Sequence, residues 1–142
     1  MKLGRQSIAL SLFLVSFLTA PIANAADLSV QIDNLKSAEG NVLVGLFNSA
    51  ADFPKKRLRG EVVAAKQGAV TVLFKDLPPG TYAVSAFQDL NDNKKLDTNA
   101  VGKPNEPYGF SRDARSMFGP PSFVDAVFNV REGVNAVEIK LK

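Results

Sequence analysis

The feature that most constrains this chain is a period-two alternation of apolar and polar residues, repeated in short blocks. Leu28, Val30 and Ile32 alternate with Ser29, Gln31 and Asp33, as a strand with one buried and one wet face requires. Val42–Phe47 follows after a polar link containing Gly40, and both of its faces are largely apolar, which predicts a central strand. The short link between these two blocks predicts a hairpin. Glu61–Lys66 and Ala69–Lys75 read as a further strand–turn–strand about Gln67-Gly68, with Val70, Val72 and Phe74 toward the core. Thr81–Gln88, Phe123–Arg131 and Val134–Leu141 complete the set. Seven short strands and no long amphipathic helix predict an all-β fold, a seven-stranded antiparallel β-sandwich of immunoglobulin-like or transthyretin-like kind. One long ordered loop carrying a short helix completes that expectation.

The first 25 residues read differently. Lys2 and Arg5 precede the apolar run Ile8–Leu18, and Pro21 precedes the small-residue site Ala23-Asn24-Ala25. This is the layout of a cleavable secretory signal, with an apolar run too short for a membrane span. No cysteine follows it to carry a lipid anchor. The expected organisation is therefore a signal peptide over 1–25 and a single β-sandwich domain over 26–142. The expected location is exported, either periplasmic or secreted, with no membrane span after cleavage.

Removing the signal changes the charge argument. The full chain carries 17 basic and 14 acidic residues, a net charge of +3. Two of the basic residues, Lys2 and Arg5, and none of the acids lie in the signal, which leaves +1. A nucleic-acid partner is set aside on that ground. The chain has neither cysteine nor histidine. An exported domain of this kind must be held by its core and turns rather than by disulfides. It also lacks the commonest general base and the commonest transition-metal ligand.

The chemistry that remains lies between Asp89 and Ser122, where strand alternation stops. Asp89, Asn91 and Asn93 fall at positions one, three and five of a calcium-loop register, the Lys95 carbonyl at seven and Asp97 at nine. Glycine is expected at position six, where this chain has Lys94, and the closing glutamate is expected at Ala100. Glu106 is the remaining candidate to close the shell. The alternative is an Asx-rich turn whose side chains bond their own backbone. Calcium, if held, buttresses the root of the loop.

Tyr108, Phe110, Arg112 and Arg115 form a second candidate set, a surface for a carbohydrate or a peptide such as a cell-envelope glycan or protein. The competing reading tucks Tyr108 and Phe110 under the loop as a small core. Ser111 is placed to cap a short helix through Ala114 to Met117, stopped by Gly119-Pro120-Pro121. Asp89, Asp97, Glu106, Asp113 and Asp125 are the candidates for a hydrolytic carboxylate pair, although nothing in the spacing fixes their separation. Lys55, Lys56, Arg57 and Arg59 mark either an anion-binding loop or a solvated loop that discourages edge pairing. The primary expectation is an exported, non-enzymatic module.

Four motifs occur in order: Leu77-Pro78-Pro79-Gly80-Thr81-Tyr82-Ala83-Val84, the Asp89–Asp97 stretch, Glu106-Pro107-Tyr108-Gly109-Phe110-Ser111 and Phe118-Gly119-Pro120-Pro121-Ser122-Phe123. Together they resemble the bacterial exported family catalogued as a domain of unknown function, number twenty-one forty-one. The resemblance implies a β-sandwich behind a signal peptide and brings no substrate, partner or reaction. Members show glycine where this chain has Lys94, which weakens tight metal binding here relative to the family pattern. The Pro78-Pro79-Gly80-Thr81-Tyr82 turn is also similar to those of carboxypeptidase-regulatory-like and transthyretin-like sandwiches, a likeness of fold alone.

Overall fold

The computed structural model describes residues 24–142, so the signal reading over 1–25 lies almost wholly outside the described residues. Within them the chain forms eight strands: β1 (Ala26–Leu35), β2 (Asn41–Phe47), β3 (Arg59–Ala64), β4 (Gly68–Leu77), β5 (Gly80–Asp89), β6 (Tyr108–Phe110), β7 (Phe128–Val130) and β8 (Gly133–Lys140). A three-stranded sheet runs β4-β1-β8, and a five-stranded sheet runs β3-β2-β5-β6 with β7 also paired to β5. The all-β expectation holds.

The core lies between the two sheets. Leu28, Val30 and Ile32 of β1 meet Val42, Val44 and Leu46 of β2, with Val72 and Phe74 of β4, Tyr82 and Val84 of β5, and Ile139 and Leu141. The alternation is realised in β1 and β4, where every second residue along most of the strand is buried and its neighbours face outward. Each large side chain removed from water in this way stabilises the fold by about 1.5–3 kcal/mol.

Several expectations need correction. The strand count is eight among the described residues, because Tyr108-Gly109-Phe110 adds a strand inside what reads as loop. The pairing is not antiparallel throughout, since β1 and β8 run parallel, joining the two ends of the domain. Neither expected hairpin forms. β1 and β2 lie in different sheets, and so do β3 and β4. Both links cross from one layer to the other, and alternation cannot distinguish this from a hairpin because strands of either sheet turn their apolar rows to the same core.

The expected helix from Ser111 to Met117 is also replaced. Ser111–Asp113 is a single 3-10 turn in which Arg112 and Asp113 have left-handed backbones (φ 60° and 53°), and such residues cannot propagate a right-handed helix. A short helix α1 (Phe123–Ala126) instead occupies the start of the expected sixth strand, leaving only Phe128–Val130 extended. Ser122 caps it, accepting the Asp125 N–H at 3.3 Å while donating its hydroxyl to Asp125 Oδ2 at 2.6 Å. The sequence signal for this cap, serine followed three residues later by an acid, is present at Ser122-Phe123-Val124-Asp125. The central placement of β2 holds, as it pairs with β3 on one side and β5 on the other.

Candidate functional site

The loop that leaves β5 is built on two buried carboxylates. Asp89 is the last residue of β5 and is fully buried. Its Oδ1 accepts the N–H of Asn93 at 3.1 Å and its Oδ2 the N–H of Lys94 at 2.8 Å. Glu106, only 6 % exposed, comes back from the far end of the loop. Its Oε1 accepts the N–H of Leu90 and its Oε2 the N–H of Asp97, both at 2.9 Å. All four carboxylate oxygens thus satisfy backbone donors that would otherwise be orphaned under the loop. Among the described residues no buried side-chain nitrogen or oxygen lacks a partner.

The remaining residues of the calcium register surround this pair. Asn91 Oδ1 accepts the N–H of Asn93 at 3.3 Å, and Asn93 Oδ1 that of Lys95 at 2.9 Å. These two Asx turns fix the orientation of both amides. Their Nδ2 groups therefore face Asp97, donating to Oδ2 at 2.7 Å and Oδ1 at 2.8 Å. Asp97 also ties the loop through its carbonyl, which accepts the Asn105 N–H at 2.8 Å. The structure brings Asp89, Asn91, Asn93, Asp97 and Glu106 into one hydrogen-bonded unit. Lys95 joins through its N–H. Among the described residues no three acidic side chains converge as a metal cage. A cation here would depend on amide and carbonyl oxygens and would have to displace the two bonds to Asp97.

Position six behaves as its backbone demands. Lys94 adopts φ 65°, the left-handed conformation that glycine takes at no steric cost. Its ammonium pairs with Asp92, whose carboxyl is held below the usual range by the hydrogen bond and charge of Lys94 and by Asn41. The root of the loop requires a glycine elsewhere. Gly40 (φ 68°) lies so close to the Asp89 carbonyl that a Cβ would fall 1.9 Å from its oxygen. Sequence reasoning placed Gly40 in a polar link between strands and missed its contact with Asp89.

The second candidate set is divided. Phe110 is buried with Ala83 and Ala126, and Phe53, Tyr108 and Phe123 pack around them. The Phe53 ring makes edge contacts with Phe47, Phe110 and Phe123 at centroid distances of 5.1, 5.7 and 5.8 Å. Tyr108 is half-buried beside a cleft of about 120 Å³ that Asp113, Arg115, Lys140 and Lys142 also line. Arg115 and Lys142 share the Asp113 carboxylate at 3.0 and 2.7 Å. Arg112 turns away and donates to the Val127 carbonyl at 3.3 Å. Ser111, read as a helix cap, is fully buried instead. Its Oγ accepts the Val84 N–H at 3.0 Å and donates to the Ala126 carbonyl at 2.6 Å, tying β5 to α1.

Among the hydrolytic candidates, Asp113 is occupied by two cations and Asp125 by Ser122. Asp89 and Glu106 hold the loop backbone. No helix among the described residues is long and apolar enough to cross a membrane. No curated protein and no solved structure matches the chain. Residues 30–138 match the family described as an uncharacterized protein conserved in bacteria (DUF2141), and the chain belongs to that family.

Proposed function

We propose that this protein is an exported, non-enzymatic β-sandwich module, periplasmic or secreted, whose 89–122 segment is a rigid surface loop rather than a catalytic one. The observation that carries this reading is the use of Asp89 and Glu106. The two buried carboxylates have every oxygen engaged by a backbone N–H of the loop itself. A general acid or base must instead reach a substrate proton. An immunoglobulin-like or transthyretin-like kinship is supported by the Tyr82 hydroxyl, which donates to the Pro78 carbonyl at 2.6 Å, four residues upstream, in the manner of the tyrosine corner of such sandwiches. Glycoside and ester substrate screens test the non-enzymatic reading. Turnover abolished by Glu106→Gln in a protein that still melts normally would overturn it. Export is tested by fractionation with mass analysis of the processed chain, whose expected first residue is Ala26.

A second reading gives the same loop calcium as a buttress. It is favoured by the left-handed backbone at Lys94, which is the geometry a calcium loop needs at its sixth position, and it requires the Asn91 and Asn93 amides to give up their bonds to Asp97. At the roughly 0.1–1 mM affinity of extracellular modules, about 1 mM calcium adds about 0.4–1.4 kcal/mol. Calorimetry with calcium against EDTA decides, and an unchanged melting temperature would remove this reading while leaving the first intact.

A further inference from the structure

Strand register arranges the outer face of the five-stranded sheet into rows that cross the strands. Gly60, Gly45 and Ser85 face one another across β3, β2 and β5, and Val62, Leu43 and Phe87 form the next row. These residues alternate with the core-facing Val42, Val44 and Leu46, so both rows point away from the core. The first row has almost no side chain, and the second is tall and apolar. Beyond the first row rises Phe47, covered by Phe53 and the loop through Pro54. The result is a trough of about 160 Å³ running across the strands, in which the Phe47 ring leans over Gly45, 3.1 Å from where a Cβ would stand, and Arg57 leans over Gly60.

Its rim is cationic. Lys55, Arg57 and Lys94 line it against one carboxylate, Glu61. Lys94 also pairs with Asp92. Arg57 lies directly over the Gly60 backbone, its Nε 2.6 Å from where a Cβ would stand. A side chain at this position would push Arg57 aside.

We infer that this trough binds an anionic oligosaccharide, a carboxylate-bearing pyranose ring seated between the Leu43–Phe87 row and the Pro54 loop with its charge toward Lys55 and Arg57. Two features select this ligand class. The cation excess at the rim complements a negative charge. The apolar wall of Leu43 and Phe87 and the Phe47 ring suit the carbon–hydrogen face of a ring, with Ser85 supplying a hydroxyl for orientation. β2 is paired along both edges and offers a peptide no main-chain handhold, and the open edge beside the trough is that of β3, which the poly-glutamate probe tests. The inference concerns the β3–β2–β5 part of the sheet face, beside the β6 strand whose Tyr108 lines the other cleft, and it stands whether or not calcium occupies the 89–97 loop.

The test is a titration of the isotope-labelled protein, followed by amide shifts, with a short galacturonic-acid oligomer, a neutral glucose oligomer of equal length and a poly-glutamate peptide. The expected result is that the uronate alone perturbs Gly45, Gly60, Ser85 and Phe87, and that added salt weakens it. The double reversal Lys55→Glu with Arg57→Glu is expected to bind about tenfold more weakly or worse, with its melting temperature kept. Shifts confined to the Tyr108 cleft, equal binding of the neutral oligomer, equal binding of poly-glutamate, or silence with all three probes would each overturn the proposal. Should the reversal variant fail to fold, the map of shifts on the unaltered protein still decides.

Discussion

Glu106 Oε2 accepts the backbone N–H of Asp97, nine residues earlier, at 2.9 Å, and so closes the first half of the long loop onto its second half. The same carboxylate holds Leu90 through Oε1. Glu106→Ala leaves two N–H groups without acceptors beneath the loop. At about 1–3 kcal/mol for each unsatisfied buried group, and with water reaching part of the opened site, the expected loss is about 2–4 kcal/mol by urea denaturation. Limited proteolysis is expected to cut within 90–105 at the same time. A loss below about 0.5 kcal/mol, the range of ordinary surface changes, would show that the loop does not depend on this staple.

Lys94 provides a test of opposite sign. Its left-handed backbone (φ 65°) costs about 1–2 kcal/mol for a residue with a Cβ. The greater freedom of glycine in the unfolded chain returns about 0.4–1 kcal/mol of that, and the exposed pair with Asp92 contributes little. Lys94→Gly is therefore expected to stabilise the protein by about 0.5–1 kcal/mol. If calcium occupies the loop, the gain in melting temperature on adding calcium is larger in this variant than in the parent. Equal or lower stability in Lys94→Gly would show that the strain at this turn is already relieved.

Much of this could be read from the sequence, and the rest has identifiable reasons for being hidden. The core rows at Leu28–Ile32, Val70–Phe74 and Tyr82–Ala86 were legible because a strand with one buried face must alternate. Sheet membership was not legible. Alternation reports which side of a strand is wet, and it is silent on which strand lies alongside, so links that cross between layers look like hairpins. Tyr108–Phe110 is too short to show a period at all. The Asx turns within Asp89–Asp97 were one of the two readings that its spacing left open, and they were legible because their bonds span only a few residues. The bonds from Glu106 to Leu90 and Asp97 depend on how the intervening loop closes, which the Thr98–Pro104 bridge and the Asn99 turn decide. Gly40 and Ser111 act across still longer separations and carry no local signature of their roles.

Ser111 makes a fully buried long-range polar link in the second half of the loop. Its hydroxyl sits between the Val84 N–H of β5 and the Ala126 carbonyl of α1 and is fully buried. Ser111→Ala strands a donor and an acceptor at once, and the expected destabilisation is about 2–3 kcal/mol. Because both partners lie beside the Phe110–Phe123 cluster, the variant is expected to expose α1 in hydrogen exchange before the β1–β4 pair opens. A variant that keeps parental stability and α1 protection would show that water replaces the hydroxyl freely.

Tyr82 sets the alkaline limit. Burial raises its phenol above the ordinary value of 10.0, with the charge of Arg59 offsetting part of the rise, and the proton is the one donated to Pro78. A phenol whose folded value is raised holds its proton at a pH where the unfolded chain has released it. Its contribution is therefore complete below about pH 10, the unfolded value, and is lost as pH rises through the folded value. Stability is expected to fall more steeply above about pH 10 in the parent than in Tyr82→Phe, which lacks the titrating group. At neutral pH Tyr82→Phe is expected to lose about 1 kcal/mol, the hydrogen bond to Pro78. Ultraviolet titration of the parent, which has two tyrosines, is expected to contain a late component that Tyr82→Phe removes. Identical alkaline stability curves for the two proteins would show that the turn at Pro78–Gly80 holds without its hydroxyl clasp.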